Sequence, residues 1–230
     1  MVDDLSAGLS IGILGGTGDQ GRGLAYRFAR AGRRVLIGSR DSARGADVAA
    51  ELATLPGATG EIAGGANQEI AEQADVVIAA VPYAGHADLL VDLREQLTGK
   101  IVVDCVNPLG FDRQGPYPLR VPEGSAAEQA QSLLPDSRVV AAFHHVSAVL
   151  LIDPAIERIE TDVLVLGDDR DATAVVIDLA NTIPGMRGIY AGRLRNTAQV
   201  EALTANLIAI NRRYKAHAGI RVTDVELADN

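Results

Sequence analysis

The sequence predicts a doubly wound α/β fold, a mostly parallel sheet with helices on both faces and a smaller C-terminal part of strand and helix. Three observations carry that expectation. Apolar strand-like runs alternate with helical runs for most of the 230 residues. One of those runs, residues 74–81, is apolar on both faces, as a central parallel strand requires. The first run ends in a glycine pattern that opens a helix. With 47% hydrophobic residues, 24 glycines and 3% aromatics, the composition suits a core of Val, Ile, Leu and Ala. The length allows one large domain, or one with a small appendage.

The opening run Ile11-Gly12-Ile13-Leu14-Gly15-Gly16-Thr17-Gly18-Asp19-Gln20-Gly21 reads strand, turn, helix. Gly16, Gly18 and Gly21 stand in the G-x-G-x-x-G order of a Rossmann dinucleotide site. Gly16 permits the turn, Gly18 lets a diphosphate approach the backbone, and Gly21 lets the helix over 22–31 pack on the strand. Thr17, Asp19 and Gln20 lie in the same turn and are taken with the glycines as cofactor contacts. The second strand, 34–38, ends at Ser39-Arg40. An NAD site carries a carboxylate at that tip, which would repel a 2′-phosphate. A hydroxyl and a guanidinium bind one, and Arg44 stands where it can close a second side. The expected cofactor is therefore NADP(H), and Asp41 is read as the N-cap of a helix over 42–55.

A turn at 56–58 leads to a short strand at 61–63, a helical step at 67–73 and the apolar strand 74–81. Pro82-Tyr83 ends that strand, an amphipathic helix covers 86–97, and the next strand spans 101–106. Ligands are expected outside the carboxyl ends of such strands. That places residues 15–18, Ser39-Arg40, Ala80-Val81-Pro82-Tyr83 and Asn107-Pro108 in one crevice. Residues 109–124, rich in Gly, Pro and Arg, read as a loop and a candidate lid. Ser125 and Glu128 form a capping box for a helix over 125–134. Strands at 139–144, 162–166 and 188–191 follow, with a helix at 171–182. A long helix over 197–216 carries the stripe Val200, Leu203, Leu207, Ile210 and Tyr214. The polar tail after Gly219 is expected to be mobile or exchanged between subunits.

A net charge of −9 argues against a nucleic-acid or anionic-membrane surface, so anionic ligands must meet local clusters such as Arg40 and Arg44. No apolar run is long enough to span a bilayer and no signal-peptide pattern is present, so the chain is expected to be cytoplasmic. The single cysteine, Cys105, reads as a buried small residue. No His, Cys, Asp or Glu grouping has metal-ligand spacing, and no metal is expected. His144-His145 stands at a strand end, where a general acid or a structural pair would both fit.

No proton donor is evident, and no Tyr-x-x-x-Lys pair is present. Reduction of a carbonyl needs an acid near its oxygen, whereas hydride transfer between two cofactors needs stacked rings in a dry pocket. Gly15-Gly16-Thr17-Gly18-x-x-Gly21-x-Gly23-Leu24-Ala25 and Gly38-Ser39-Arg40 resemble the NADPH-dependent reductases of the deazaflavin coenzyme F420. The resemblance continues through Ser125-Ala126-Ala127-Glu128, residues 140–148 with His144, Gly167-Asp168-Asp169, Ala191-Gly192-x-Leu194-x-Asn196 and Glu201-x-Leu203-Thr204. It implies reversible hydride transfer between nicotinamide C4 and deazaflavin C5, with coenzyme F420 as co-substrate and no residue in covalent catalysis. It also implies that Thr17, Ser39, Arg40 and Arg44 hold the NADP phosphates and that Ala80-Val81-Pro82 lies against the nicotinamide. His144 and Val146 would line the deazaflavin site, His144 in an orienting role, with Leu207 on the matching C-terminal helix. Arg193, Arg195, Arg212 and Arg213 are unranked candidates for the acidic coenzyme tail.

On this reading residues 1–155 form an NADP-binding Rossmann domain. Residues 156–230 form a smaller part that contributes to the deazaflavin site and to a homodimer contact. Two other functions stay open from the residues alone. One is an NADPH-dependent reductase of imines, ketones, flavins or ferric chelates; the other is a non-enzymatic NADP(H) sensor.

Overall fold

The computed structural model describes residues 4–226. In chain order its elements are β1 (Ile11–Leu14), α1 (Asp19–Arg30), β2 (Val35–Ser39), α2 (Ser42–Ala53), β3 (Ile62–Ala66), α3 (Asn67–Gln73) and β4 (Val76–Ala79). Then come α4 (His86–Asp92), α5 (Arg94–Leu97), β5 (Ile101–Asp104), β6 (Leu109–Asp112), β7 (Gly115–Pro118) and α6 (Ala126–Leu133). The chain continues with β8 (Arg138–Ala141), α7 (Ala148–Ile152), β9 (Thr161–Gly167), α8 (Arg170–Asn181), β10 (Met186–Gly192) and α9 (Thr197–Tyr214).

Eight strands form one sheet in the order β10-β9-β8-β5-β4-β1-β2-β3. From β3 to β8 all neighbours are parallel. The winding reverses between β1 and β4, which opens a crevice over the carboxyl ends of those strands. The doubly wound, mostly parallel Rossmann-type fold expected from the sequence is the one observed. β9 runs antiparallel to β8, and β10 is parallel to β9.

Successive residues of the central strands enter opposite apolar layers. Ile11, Ile13, Val76, Ile78 and Val103 join Leu24, Phe28 and Leu52 on one face. Leu14, Val77 and Val102 join Ile70, Leu90, Leu97 and Ala130 on the other. Each such side chain contributes about 1.5–3 kcal/mol on burial, so both faces demand apolar residues and no polar alternation survives.

Several boundaries differ from the sequence expectation for identifiable reasons. Residues 109–124 are not one open loop, because β6 and β7 pair as a hairpin. Asp112 Oδ1 accepts from the amides of Gln114 and Gly115 at 2.7 and 3.1 Å, and Gly115 takes φ 126°, so the turn closes locally. The hairpin packs against α9. The helical run over 86–97 is split at Leu93 (φ −107°, ψ 10°), a step that keeps Leu90, Leu93 and Leu97 all buried. The tail is held rather than free as far as it is described. Ile220 O accepts from Asp162 N at 2.7 Å, and Val222 N donates to Asp162 Oδ2 at 2.6 Å. Residues 227–230 lie outside the described residues.

The sequence reading did not anticipate α7. Its position is set by Arg27 of α1, which is 2% exposed. That guanidinium donates to the carbonyls of Leu151, Ile156, Leu150 and Asp153 at 2.7, 2.6, 2.5 and 3.0 Å. A cation at the end of a helix meets carbonyls that no intrahelical amide can satisfy.

Candidate functional site

Two adjoining cavities occupy the crevice. The larger, about 510 Å³, is lined by Gly15, Thr17, Gly18, Ser39, Arg40, Asp41, Arg44, Asn67 and the Ala80–Pro82 corner, among others. The smaller, about 300 Å³, shares Gly18 and Ala80–Pro82 and adds Asp19, Gln20, Cys105, Val106, Asn107 and His144. Thr17, Gly18, Asp19, Gln20, Ser39, Arg40, Arg44, Ala80, Val81, Pro82, Asn107 and His144 are therefore brought together.

The glycines of the β1–α1 turn divide the work. Gly15 carries the left-handed backbone, φ 68°, that turns the chain. A β-carbon on Gly21 would sit 2.6 Å from the Gly16 α-carbon, so this pair serves the packing of helix on turn and lines neither cavity. Gly18 differs: a β-carbon there would meet only the Gly15 carbonyl oxygen, at 3.5 Å. Nothing inside the protein requires a glycine at Gly18, whereas a ligand lying on the backbone does. Gly18 is also the N-cap of α1, and no side chain caps that helix. Its first-turn residues Asp19 and Gln20 line the smaller cavity, and free amides at a helix start can receive an anion.

At the far side of the larger cavity, Ser39 is buried at the tip of β2 while Arg40 and Arg44 are exposed. Among the described residues neither arginine forms an ion pair. Asp41, the nearby carboxylate, caps α2 as expected, its Oδ1 accepting from Ala43 N and Arg44 N at 3.0 and 3.4 Å. The guanidinium groups remain available to an anion beside Ser39.

The smaller cavity joins apolar residues to one buried polar side chain, His144. His144 is 4% exposed, and among the described residues neither of its ring nitrogens makes a hydrogen bond of good geometry, the Cys105 and Val106 backbone lying beside the ring. Burial pushes its imidazole down to about 4, against the pull of the Asp104 charge. It is neutral at pH 7, with one donor and one acceptor to offer a ligand. Its backbone is fixed from two directions, since Asn107 Nδ2 and Thr204 Oγ1 donate to its carbonyl at 2.8 and 3.1 Å. Thr204 Oγ1 also lies 3.3 Å from Asn107 Oδ1. Phe143, just before, adopts φ 63°, a conformation unfavourable for a bulky residue and held here by packing against Phe28.

His145 has the structural role, its Nε2 within 2.8 Å of the Asp162 carbonyl oxygen. Cys105 is buried, and burial pushes its thiol well above the ordinary cysteine range, so it is no nucleophile. Val146 and Leu207 are 6% and 8% exposed and lie outside the lining of both cavities.

Asn67, Cys105 and Val106 line the crevice without having been singled out for it. Asn67 places Oδ1 3.4 Å from Gly15 N, and its signal was a polar residue at the carboxyl end of a parallel strand. For Cys105 and Val106 the signal was only their place after β5.

The family model for coenzyme F420-dependent NADP oxidoreductases matches residues 10–108. The F420-dependent NADP reductase of Methanocaldococcus jannaschii is 41% identical over 95% of this chain and 100% of its own length. That of Methanothermobacter thermautotrophicus is 38% identical over 94% of this chain and 96% of its own. A crystal structure from Arthrobacter sp. FB24 superposes with a TM-score of 0.76 at 29% identity, covering 91% of this chain and 96% of the other. No helix among the described residues is long and apolar enough to cross a membrane.

Proposed function

This chain belongs to the family of F420-dependent NADP reductases, and from that premise we propose that it passes hydride reversibly between NADP(H) and coenzyme F420. The observation that carries the reading is the joined pair of cavities, with arginines that form no ion pair among the described residues at one end and a buried, neutral imidazole at the other. When bound, the two coenzymes supply the chemistry themselves, hydride moving between nicotinamide C4 and deazaflavin C5.

The residues of the chain bind, orient and keep water out. Ser39, Arg40 and Arg44 take the 2′-phosphate. The uncapped α1 terminus, with Gly18 open above it, takes the diphosphate, and Thr17, Asp19 and Gln20 flank it. Ala80-Val81-Pro82, shared by both cavities, supports the nicotinamide. Asn107 and His144 bound the second ring, and the neutral His144 hydrogen-bonds its edge without moving the hydride. Val146, two residues after His144, and Leu207, one turn after Thr204 on a helix of the C-terminal part, are read as backing that wall. We extend the reading to a homodimer over α9 and the hairpin, where Tyr214, Phe111 and Tyr117 stand exposed.

Mixing the protein with NADPH and oxidised F420 tests this. Simultaneous loss of the deazaflavin and NADPH absorbances is expected. Saturable NADPH binding without turnover would identify a sensor instead. Turnover with an imine, ketone, flavin or ferric chelate but not with F420 would identify the other reductase class.

A further inference from the structure

Behind the floor of the smaller cavity lies a buried polar array in which His86 is the central member. His86 is fully buried, at the start of α4, with the Tyr83 ring beside it. Its Nε2 stands 2.6 Å from Asp104 Oδ2 and its Nδ1 3.2 Å from Gln129 Oε1. The Gln129 amide turns its oxygen to the ring while its nitrogen donates to Glu123 Oε2 at 3.2 Å. Both ring nitrogens therefore face acceptors, and a ring that donates twice is an imidazolium.

The Asp104 carboxylate bridges this cation to the cavity floor. Oδ2 takes the His86 bond, while Oδ1 accepts from Val106 N at 3.0 Å. Cys105, between them, is tied to Ala79 O through its amide at 3.4 Å and its thiol at 3.1 Å. Asn107 then reaches His144. From α9, Glu201 accepts from the amides of Ala126 and Ala127 at 3.1 and 3.3 Å, and Thr204, one turn on, bonds the His144 carbonyl.

We propose that His86 is a positioning residue, held as the imidazolium between Asp104 and Gln129, and that it fixes the carboxyl end of β5 so that residues 105–107 form a rigid floor for the reacting ring. The placement of that ring rests on the reading given under Proposed function; the charge state of His86 does not. Burial opposes the charged ring, yet the hydrogen bond and charge of Asp104, with Gln129 and Glu201, outweigh it and raise its pKa above the ordinary histidine value. The titratable groups facing it are Asp104 on β5, Glu201 on α9 and Glu123 through Gln129, with the neutral His144 beyond Asp104. Burial in turn pushes the Glu201 carboxyl up to about 7, with the two α6 amides and His86 opposing.

Two measurements test the proposal. In ¹⁵N-histidine-labelled wild-type protein without any coenzyme, the His86 ring should show both nitrogens protonated at pH 7; a neutral tautomer there overturns the assignment. In single-turnover assays, His86→Gln should slow hydride transfer by about 10- to 100-fold, the scale of a small misplacement of reacting atoms, while the NADPH dissociation constant changes less than about threefold. A folded variant that transfers hydride at the wild-type rate reduces His86 to a stability role and sinks the proposal. Should His86→Gln not fold, Gln129→Ala, which removes one acceptor on α6, is expected to slow transfer in the same way with NADPH binding retained. If wild-type protein does not reduce F420 at all, the reaction is misread while the ring measurement still decides the charge of His86.

Discussion

At one end of the crevice, Arg40 and Arg44 stand exposed, four residues apart and free of carboxylate partners among the described residues. At the other end, His144, Asn107 and Thr204 are drawn together by bonds spanning 37 to 97 residues of chain, around an imidazole that is almost fully buried. The open end attracts by charge and needs little preorganisation, because a phosphate tolerates several approaches to a guanidinium. On the proposed reading the closed end holds a planar ring within a fraction of an ångström, which calls for over-determined packing. On that reading binding strength and reaction geometry fall to regions of different construction, and perturbations should separate them.

The largest expected effect strikes the support of the closed end. Arg27→Ala leaves four carbonyls at and after α7 without their donor, that of Leu151 buried and the others partly so, and should lower unfolding stability in urea by about 3–5 kcal/mol. Arg27→Lys, unable to reproduce the fork, should recover only part of it. Unchanged denaturation midpoints would mean that the segment carrying His144 is held by its apolar contacts alone.

Acid should also distinguish the two ends. His144 has its pKa depressed to about 4, so its stabilising contribution is complete above the unfolded value near 6.5 and is lost as pH falls toward 4. His144 alone contributes a loss of about 3 kcal/mol over that window in the coenzyme-free protein, opposed by the raised Glu201 and His86, so it is read as the difference between the wild-type and variant curves. His144→Gln should remove this part of the pH dependence, and a wild-type curve in the variant would assign the loss elsewhere.

Smaller and purely a matter of affinity is the third effect. Arg40→Ala should raise KM for NADPH by about 10- to 150-fold, equivalent to about 1.5–3 kcal/mol, with little change for NADH. Equal effects on both nucleotides would remove Arg40 from the 2′-phosphate. The same division predicts that added salt weakens NADPH binding without slowing hydride transfer in the filled site.

The open end was legible in the sequence because its parts are neighbours. Gly18, Ser39, Arg40 and the Asp41 cap are each read within a few residues of a strand end, and local chemistry decides their roles. The strand-helix alternation was legible for the same reason. The bonds of the closed end were not, since nothing local tells Asn107 that Thr204 will face it. His86 and Asp104, 18 residues apart, likewise gave no sign of pairing. The hairpin over 109–118 was missed because its prolines and glycines read as loop, whereas the Asp112 turn and the Tyr117 ring lying on Gly110 favour pairing. Val146 and Leu207 entered through resemblance to a family, and their burial gives them no contact with either cavity.

The two strands that run against the rest of the sheet have a practical consequence. Their reversal brings the beginning of β9 beside His145 and carries its end, with the turn at Asp168 and Asp169, to the opposite rim. Asp168 and Arg170 are exposed there. On the proposed reading the coenzymes come and go on the far side, so this exposed turn is expected to tolerate being lengthened, tethered to a surface or fused to another enzyme.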